Sequence, residues 1–287
     1  RAEAVGGEVN ASYSIRGLAS SVGDVTVTQD VTLTADQLST PEIVLNAARL
    51  ILRPVGSEGG PVLDQASLNI TGANRLDSTN YGESRFYVPA GDITVTGKMG
   101  AAEATEALTV TAGQDLTRDI LIASGVAGIE GYYAEGVQMD SGNHSITVLA
   151  AKKKIDGSQQ SFGTDYGTGK TFTLPPGDYI ARVEIGSAKG ESAFTVKIGE
   201  RVDVPVILNA GVLYVSAPGA ASIEVLDARK DINGNETSLD FHYGEEVTFT
   251  AAAGDLVVRA GWGNEVFTDE KAVVKAGERT EITVKKP

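Results

Sequence analysis

Three stretches of this chain follow one pattern, and a fold for the chain has to accommodate all three. They read FYVPAGDITVTGK at Phe86–Lys98, FTLPPGDYIARVE at Phe172–Glu184 and FTAAAGDLVVRAG at Phe249–Gly261. Gly91, Gly177 and Gly254 hold the same place in each copy. A second glycine, Gly113, Gly199 or Gly277, follows 22, 22 and 23 residues later. A fixed-period repeat makes the repeat, and not the chain, the unit to be folded.

The 287 residues suit three modules of roughly 80–90 residues each. The last two copies run at a constant offset of 77, pairing Ile146 with Ile223, Tyr166 with Tyr243 and Phe172 with Phe249. This alignment places modules at 47–122, 123–209 and 210–287 with almost no linker between them. Such short junctions favour a semi-rigid array over beads on a flexible string. Residues 1–46 correspond only to the second half of a module, with strands expected at Gly6–Arg16, Val25–Leu33 and Pro41–Leu45. The chain opens at Arg1, so the expectation is a processed form or an excised piece of a larger protein.

Within a module the pattern is β. Tyr179, Ala181, Val183 and Ile185 fall on one face of a strand, and Ile180, Arg182 and Glu184 on the other. Val202, Val204, Val206 and Leu208 alternate likewise, with Pro205 marking an edge strand because it has no N–H to give a neighbour. Alternation of period two with one apolar face is the signature of half-buried antiparallel strands. No segment has helical periodicity. The expected fold is all-β: tandem antiparallel β-sandwiches of about seven strands, arranged end to end. The Gly-Asp step is read as a tight turn, with glycine at positive φ and the aspartate accepting from turn amides. On that reading Gly177→Val should damage its module.

Composition removes several function classes. The net charge of −14 repels phosphate backbones and argues against nucleic-acid partners. Lys152–Lys154, the one basic cluster, reads as solvated surface. No stretch approaches the roughly 20 apolar residues of a membrane helix, so no membrane insertion is expected. With no cysteine there is no disulfide and no thiolate chemistry. A cysteine-free, acidic, Gly/Thr/Val-rich set of repeats points to a bacterial protein that is secreted, periplasmic or on the cell surface.

The [PA]-G-D-[YIL] step between strands resembles the prealbumin-like sandwich modules of bacteria, including the carboxypeptidase-regulatory-like and Ig-like repeats. The resemblance covers nearly the whole chain. It implies spacer, stalk or accessory modules of secreted and surface proteins, and it is also similar to repeats that follow a von Willebrand factor A domain in envelope proteins. Some pilin-type relatives form a Lys–Asn isopeptide bond from a lysine on the first strand. Here Ala127–Tyr133 and Val212–Ala217 contain no lysine, so none is expected.

Candidate chemistry is sparse. Gly163-Thr-Asp-Tyr-Gly-Thr-Gly-Lys170-Thr171 misses the phosphate-loop spacing by one residue and precedes a strand, not a helix. Asp231, Asn233 and Asn235 place oxygens at alternate positions as a calcium loop does, but Asn233-Gly234 is equally a hairpin turn. Only His144 and His242 exist, in different modules, and no nucleophile elbow is present. The expectation is therefore no enzyme and no cofactor, calcium being the one metal in question. The middle module carries about nine extra residues within Gly131–Ser145. Tyr132, Tyr133, Met139 and His144 in that stretch, with Trp262 elsewhere, are the candidate contacts for a protein or glycan partner. The competing readings are a loop packed at a module junction and a tryptophan packed on a strand face.

Overall fold

The computed structural model describes residues 12–23, 25–34, 38–72, 76–140, 142–263 and 266–287. The chain divides into two compact units, residues 1–123 and 124–287. Among the described residues every regular element is a strand.

The first unit begins with a two-stranded antiparallel hairpin, β1 (Ser12–Val22) and β2 (Val25–Thr34). Pro41–Leu45, expected as a strand, is irregular, and the Gly6–Ala11 part of the first expected strand lies outside the described residues. Pro41 supplies no donor for a ladder, which fits its place in a connection. Seven strands follow: β3 (Ala47–Val55), β4 (Ser67–Gly72), β5 (Asp77–Tyr81), β6 (Ser84–Pro89), β7 (Gly91–Met99), β8 (Ala102–Val110) and β9 (Asp115–Leu121). They form two sheets, ordered β6-β3-β9 and β5-β4-β7-β8. Alternate residues of both sheets meet in one core, with Leu50 and Leu52 from one and Leu68, Ile70, Ile93 and Val95 from the other. Each such leucine or isoleucine, taken fully from water, contributes about 1.5–3 kcal/mol.

The second unit repeats this plan twice. Its first sandwich comprises β10 (Gly125–Ala134), β11 (Val137–Gln138), β12 (Ser145–Ala150), β13 (Ser161–Tyr166), β14 (Lys170–Leu174), β15 (Gly177–Ile185), β16 (Ala188–Val196) and β17 (Arg201–Ile207). Its second comprises β18 (Ala210–Ser216), β19 (Ser222–Asp227), β20 (Ser238–Tyr243), β21 (Glu246–Ala252), β22 (Gly254–Gly261), β23 (Phe267–Val274) and β24 (Arg279–Thr283). The four-stranded sheets run β13-β12-β15-β16 and β20-β19-β22-β23. Among the described residues β17 pairs only with β10, so Pro205 sits on an edge strand, opposite Glu130.

Two features depart from the simplest antiparallel picture. The first and last strands of each sandwich are parallel neighbours: β3 with β9, β10 with β17 and β18 with β24. The Gly-Asp step is not a hairpin. β6 lies beside β3 and β7 beside β4, so the step carries the chain from one sheet to the other, and β14 to β15 and β21 to β22 do the same. Gly91 and Gly254 take φ of 132° and 154° there, but Gly177 has no positive φ. A Cβ on Gly177 would meet the Tyr179 hydroxyl at 3.4 Å, an ordinary contact, so the expected damage from Gly177→Val loses its conformational basis. Nor do the aspartates cap turn amides. Asp92 accepts from the Thr109 hydroxyl at 2.6 Å and Asp178 from Thr195 at 2.7 Å, tying β7 to β8 and β15 to β16.

Candidate functional site

The extra residues of the middle sandwich are not a free loop. Gly131–Ala134 extend β10, the chain turns at Glu135-Gly136, and β11 pairs back with Gln138 opposite Tyr132. The Met139 N–H donates to the Gly131 carbonyl at 3.0 Å, and a Cβ on Gly131 would press the Met139 sulfur at 2.7 Å. Met139 and His144 are fully buried, and Tyr133 is buried. These three are packing residues, which removes them from the set of exposed partner contacts. A ten-residue strand with period two explains why: Gly131 and Tyr133 fall on its buried face and Tyr132 on the half-exposed one. Val137, Gln138, Asp140, Gly142 and Asn143 remain exposed, and Ser141 lies outside the described residues.

The added hairpin reaches the next sandwich. A Cβ on Gly277 would lie 3.0 Å from the Ala134 Cβ and 3.2 Å from Val137. Beside it the β15–β16 turn docks on β21: Gly186, at φ 54°, has no room for a side chain against the Thr250 carbonyl, and the Ser187 N–H donates to that oxygen at 3.2 Å. A cleft of about 760 Å³ opens between the sandwiches, with Tyr133, Gln138 and Asp140 on one wall and Thr248, Phe249 and Arg279 on the other. Arg279 is held over the Tyr214 ring at 5.0 Å and donates to Glu281 at 2.7 Å. Tyr133 and Phe249 are buried, so the cleft presents no exposed ring. It brings together the middle insertion and the last sandwich, but of the side chains singled out as partner contacts only Tyr133 lines it, and that ring is buried.

Trp262 is half-buried against the core of the last sandwich, and its Nε1–H donates to the Pro218 carbonyl at 3.1 Å. It packs on a strand face and is not an exposed platform. Asp231 accepts from the backbone N–H groups of Asn233 and Asn235, both at 2.8 Å, and from the Asn235 side chain at 3.1 Å. These bonds, those of Asn235 foremost, hold the Asp231 carboxyl below the usual range. The carboxylate thus closes a hairpin turn. In the phosphate-loop-like stretch, Gly163–Tyr166 belong to β13 and Lys170 opens β14, while the Gly169 N–H donates to the Glu130 carboxylate at 2.8 Å. An amide already facing a carboxylate does not present itself to a phosphate. Among the described residues no group of three or more His, Asp or Glu side chains is placed to hold a metal ion.

An arginine shared between two carboxylates lies on the four-stranded sheet of the last sandwich. Arg259 donates to Asp269 at 2.8 Å and to Glu236 at 2.9 Å. The hydrogen bonds from Arg259 hold both carboxyls below their ordinary range, and those same bonds, to Asp269 first, raise the guanidinium. A carboxylate with a depressed folded pKa adds stability above its unfolded pKa and loses it as pH falls through the folded value. Arg259→Met should therefore lower the melting temperature by a few degrees at neutral pH. The gap to wild type should close as pH falls through the depressed values of the two carboxyls, as checked by calorimetric scans across the acid range. A gap that persists in acid would assign the effect to lost packing of the arginine stem.

No family model matches the chain, and no curated protein matches it. Solved structures do match. The TIE protein of Bacillus anthracis aligns over 96% of this chain and 58% of its own length at 15% identity, with a TM-score of 0.24. The minor pilin GBS52 of Streptococcus agalactiae aligns over 56% of this chain and 95% of its own at 12% identity and a TM-score of 0.30. BcpA, the major pilin subunit of Bacillus cereus, aligns over 84% and 99% at 10% identity and a TM-score of 0.22. The chain thus spans just over half of the TIE protein. The fold assignment rests on the strands, sheets and cores described above.

Proposed function

We propose that this chain is a non-enzymatic structural segment, a spacer or adhesion-type array, of a secreted or cell-envelope bacterial protein. The observation that carries the reading is the junction in the second unit. Only Leu208 and Asn209 separate β17 from β18, and Asn209 takes a φ of 49° to redirect the chain. Gly186 then seats one sandwich on the next with no space for a side chain, and Gly277 lies in tight contact with Ala134 and Val137. A joint built to hold two modules at a set angle suits a part whose task is to position something else. The resemblance adds a von Willebrand factor A domain as a candidate neighbour in a longer protein, and a protein or a glycan as the partner presented to.

The test is nitrogen-15 relaxation on the full chain. Residues 124–207 and 210–287 should report one shared rotational diffusion tensor, and Gly186→Glu with Gly277→Val should split it into two. Independent tumbling of the two sandwiches in the wild type would overturn the spacer reading.

A further inference from the structure

The outer face of the β20-β19-β22-β23 sheet differs from its counterparts in the other two sandwiches, which serve as internal references. One row across this face reads Tyr243, Ser222, Gly261 and Phe267. The matching rows read Tyr166, Ser145, Glu184 and Lys189 in the middle sandwich, and Tyr81, Ser67, Lys98 and Glu103 in the first. Tyrosine and serine are common to all three. The last two positions form an ion pair in the references, Lys189 with Glu184 at 3.7 Å and Lys98 with Glu103 at 3.2 Å. The last sandwich has glycine and phenylalanine instead. In the adjoining row Phe241 replaces Thr164 and Thr79.

These exchanges build a trough. A Cβ on Gly261 would meet the Phe267 ring and the Ser222 Oγ, each at 3.0 Å, so the ring lies down over the glycine. Phe267 nevertheless stays 56% exposed, as do Tyr243 at 81% and Phe241 at 51%. Phe241 and Tyr243 meet edge to face, 5.1 Å apart. Tyr243 and Phe267 stand three strand spacings apart, roughly 14 Å, with Ser222 and Gly261 as the floor between them. Glu224, Arg259 and Asp269 border a depression of about 660 Å³ beside Phe267.

We infer that this face binds a neutral glycan, a chain of pyranose rings laid across the strands. Flat exposed rings suit the C–H faces of pyranoses, and each ring brings a large apolar area at low entropic cost. The carboxylates of Glu224, Asp269 and Glu236 retain lone pairs for sugar hydroxyls, and the Arg259 guanidinium that joins two of them fixes their orientation. Charge selects the class. The depression carries Glu224 and Asp269 against Arg259, with Glu236 and Lys230 beside it, and on a chain of net charge −14 this acidic setting disfavours uronic and sulfated glycans. The trough spans more than one ring, so an oligomer is favoured over a monosaccharide.

The experiment is native affinity electrophoresis of the full chain in gels cast with laminarin, galactomannan or hyaluronate. At least one of the two neutral polysaccharides should retard the wild type, and hyaluronate should not. Phe267→Ala and Tyr243→Ala should each weaken retardation by about tenfold or more, while Tyr166→Ala on the reference face leaves it unchanged. The double variant Gly261→Glu with Phe267→Lys rebuilds the ion pair of the middle sandwich. It should keep the melting temperature and lose retardation, which separates binding from folding. Retardation by neither neutral polysaccharide would overturn the proposal. So would retardation by hyaluronate, an equal loss in Tyr166→Ala, or retention in the folded double variant.

Discussion

Gly211→Val should unfold the last sandwich at temperatures where the wild type is intact. Gly211 sits near the start of β18, where the turn before β24 crosses it. A Cβ there would lie inside van der Waals contact of the Lys275 carbonyl oxygen, 2.8 Å from the Glu278 carbonyl oxygen and 2.8 Å from Val274. Gly125 meets Lys197, Glu200 and Val196 in the same way one module earlier. Backbone atoms cannot move aside as the end of a side chain can, and the crossing is pinned by bonds from Val212 to Glu278 and from Gly277 to Ala210. In the first sandwich the position is Ala48, so the crossing can open by one methyl; valine asks for two more carbons. The expected cost is about 3 kcal/mol or more. For a domain of this size that lowers the melting temperature by roughly 12 °C or more. Trp262, the chain's sole tryptophan, packs against this core, so its fluorescence reads the transition directly. A shift of under about 3 °C would mean that the turn yields, and the crossing is then not a fixed point of the module.

Tyr179→Ala should be comparably severe in the middle sandwich. The ring is buried between Phe162, at 5.0 Å and edge-on, and Phe194, at 5.6 Å and stacked. Its hydroxyl donates to the Pro175 carbonyl at 2.7 Å, tying β15 to the connection that leads into it. Truncation should cost about 3–5 kcal/mol, the range for a large buried aromatic. Tyr179→Phe keeps the ring and loses one hydrogen bond, so it should cost about 1 kcal/mol. Urea unfolding followed by amide exchange in β12, β15 and β16 separates the two. Equal losses would place the energy in the hydroxyl and not in the aromatic stack.

The alternation of Tyr179–Ile185 and of Val202–Leu208 was sufficient to assign strands, one buried face and an edge at Pro205, because burial in a sheet is a local property of period two. The Gly-Asp step is legible in the sequence as a tight turn, but not as a crossing between two sheets. A four-residue pattern records that the chain turns, but the partner strand it turns toward is fixed by pairings tens of residues away. Gly177 holds the same place in its repeat as Gly91 and Gly254, yet its φ differs, which no residue name can disclose. Tyr133, Met139 and His144 looked like loop residues because the repeat comparison marked them as extra. Extra residues need not be exposed ones: here they lengthen a strand and fold back on it. Gly211 and Gly125 carried no local signal. Phe241, Gly261 and Phe267 did carry one: setting the three copies side by side puts a glycine and two aromatic rings where the others have threonine and ion pairs. That comparison needed the cross-strand register to place those residues on one face.

The parallel pairing of first and last strands fixes how each sandwich would meet a pull on its two ends. The chain enters at the start of β10 and leaves at the end of β17, and because the two strands point the same way these exits lie at opposite ends of one ladder. Tension therefore drags the strands lengthwise past each other, and every rung must stretch at once instead of parting one after another. The ladder is seven residue pairs long between β3 and β9 and between β10 and β17, but five between β18 and β24. Pulled by its ends, the last sandwich, with the shortest ladder, is the one expected to yield first.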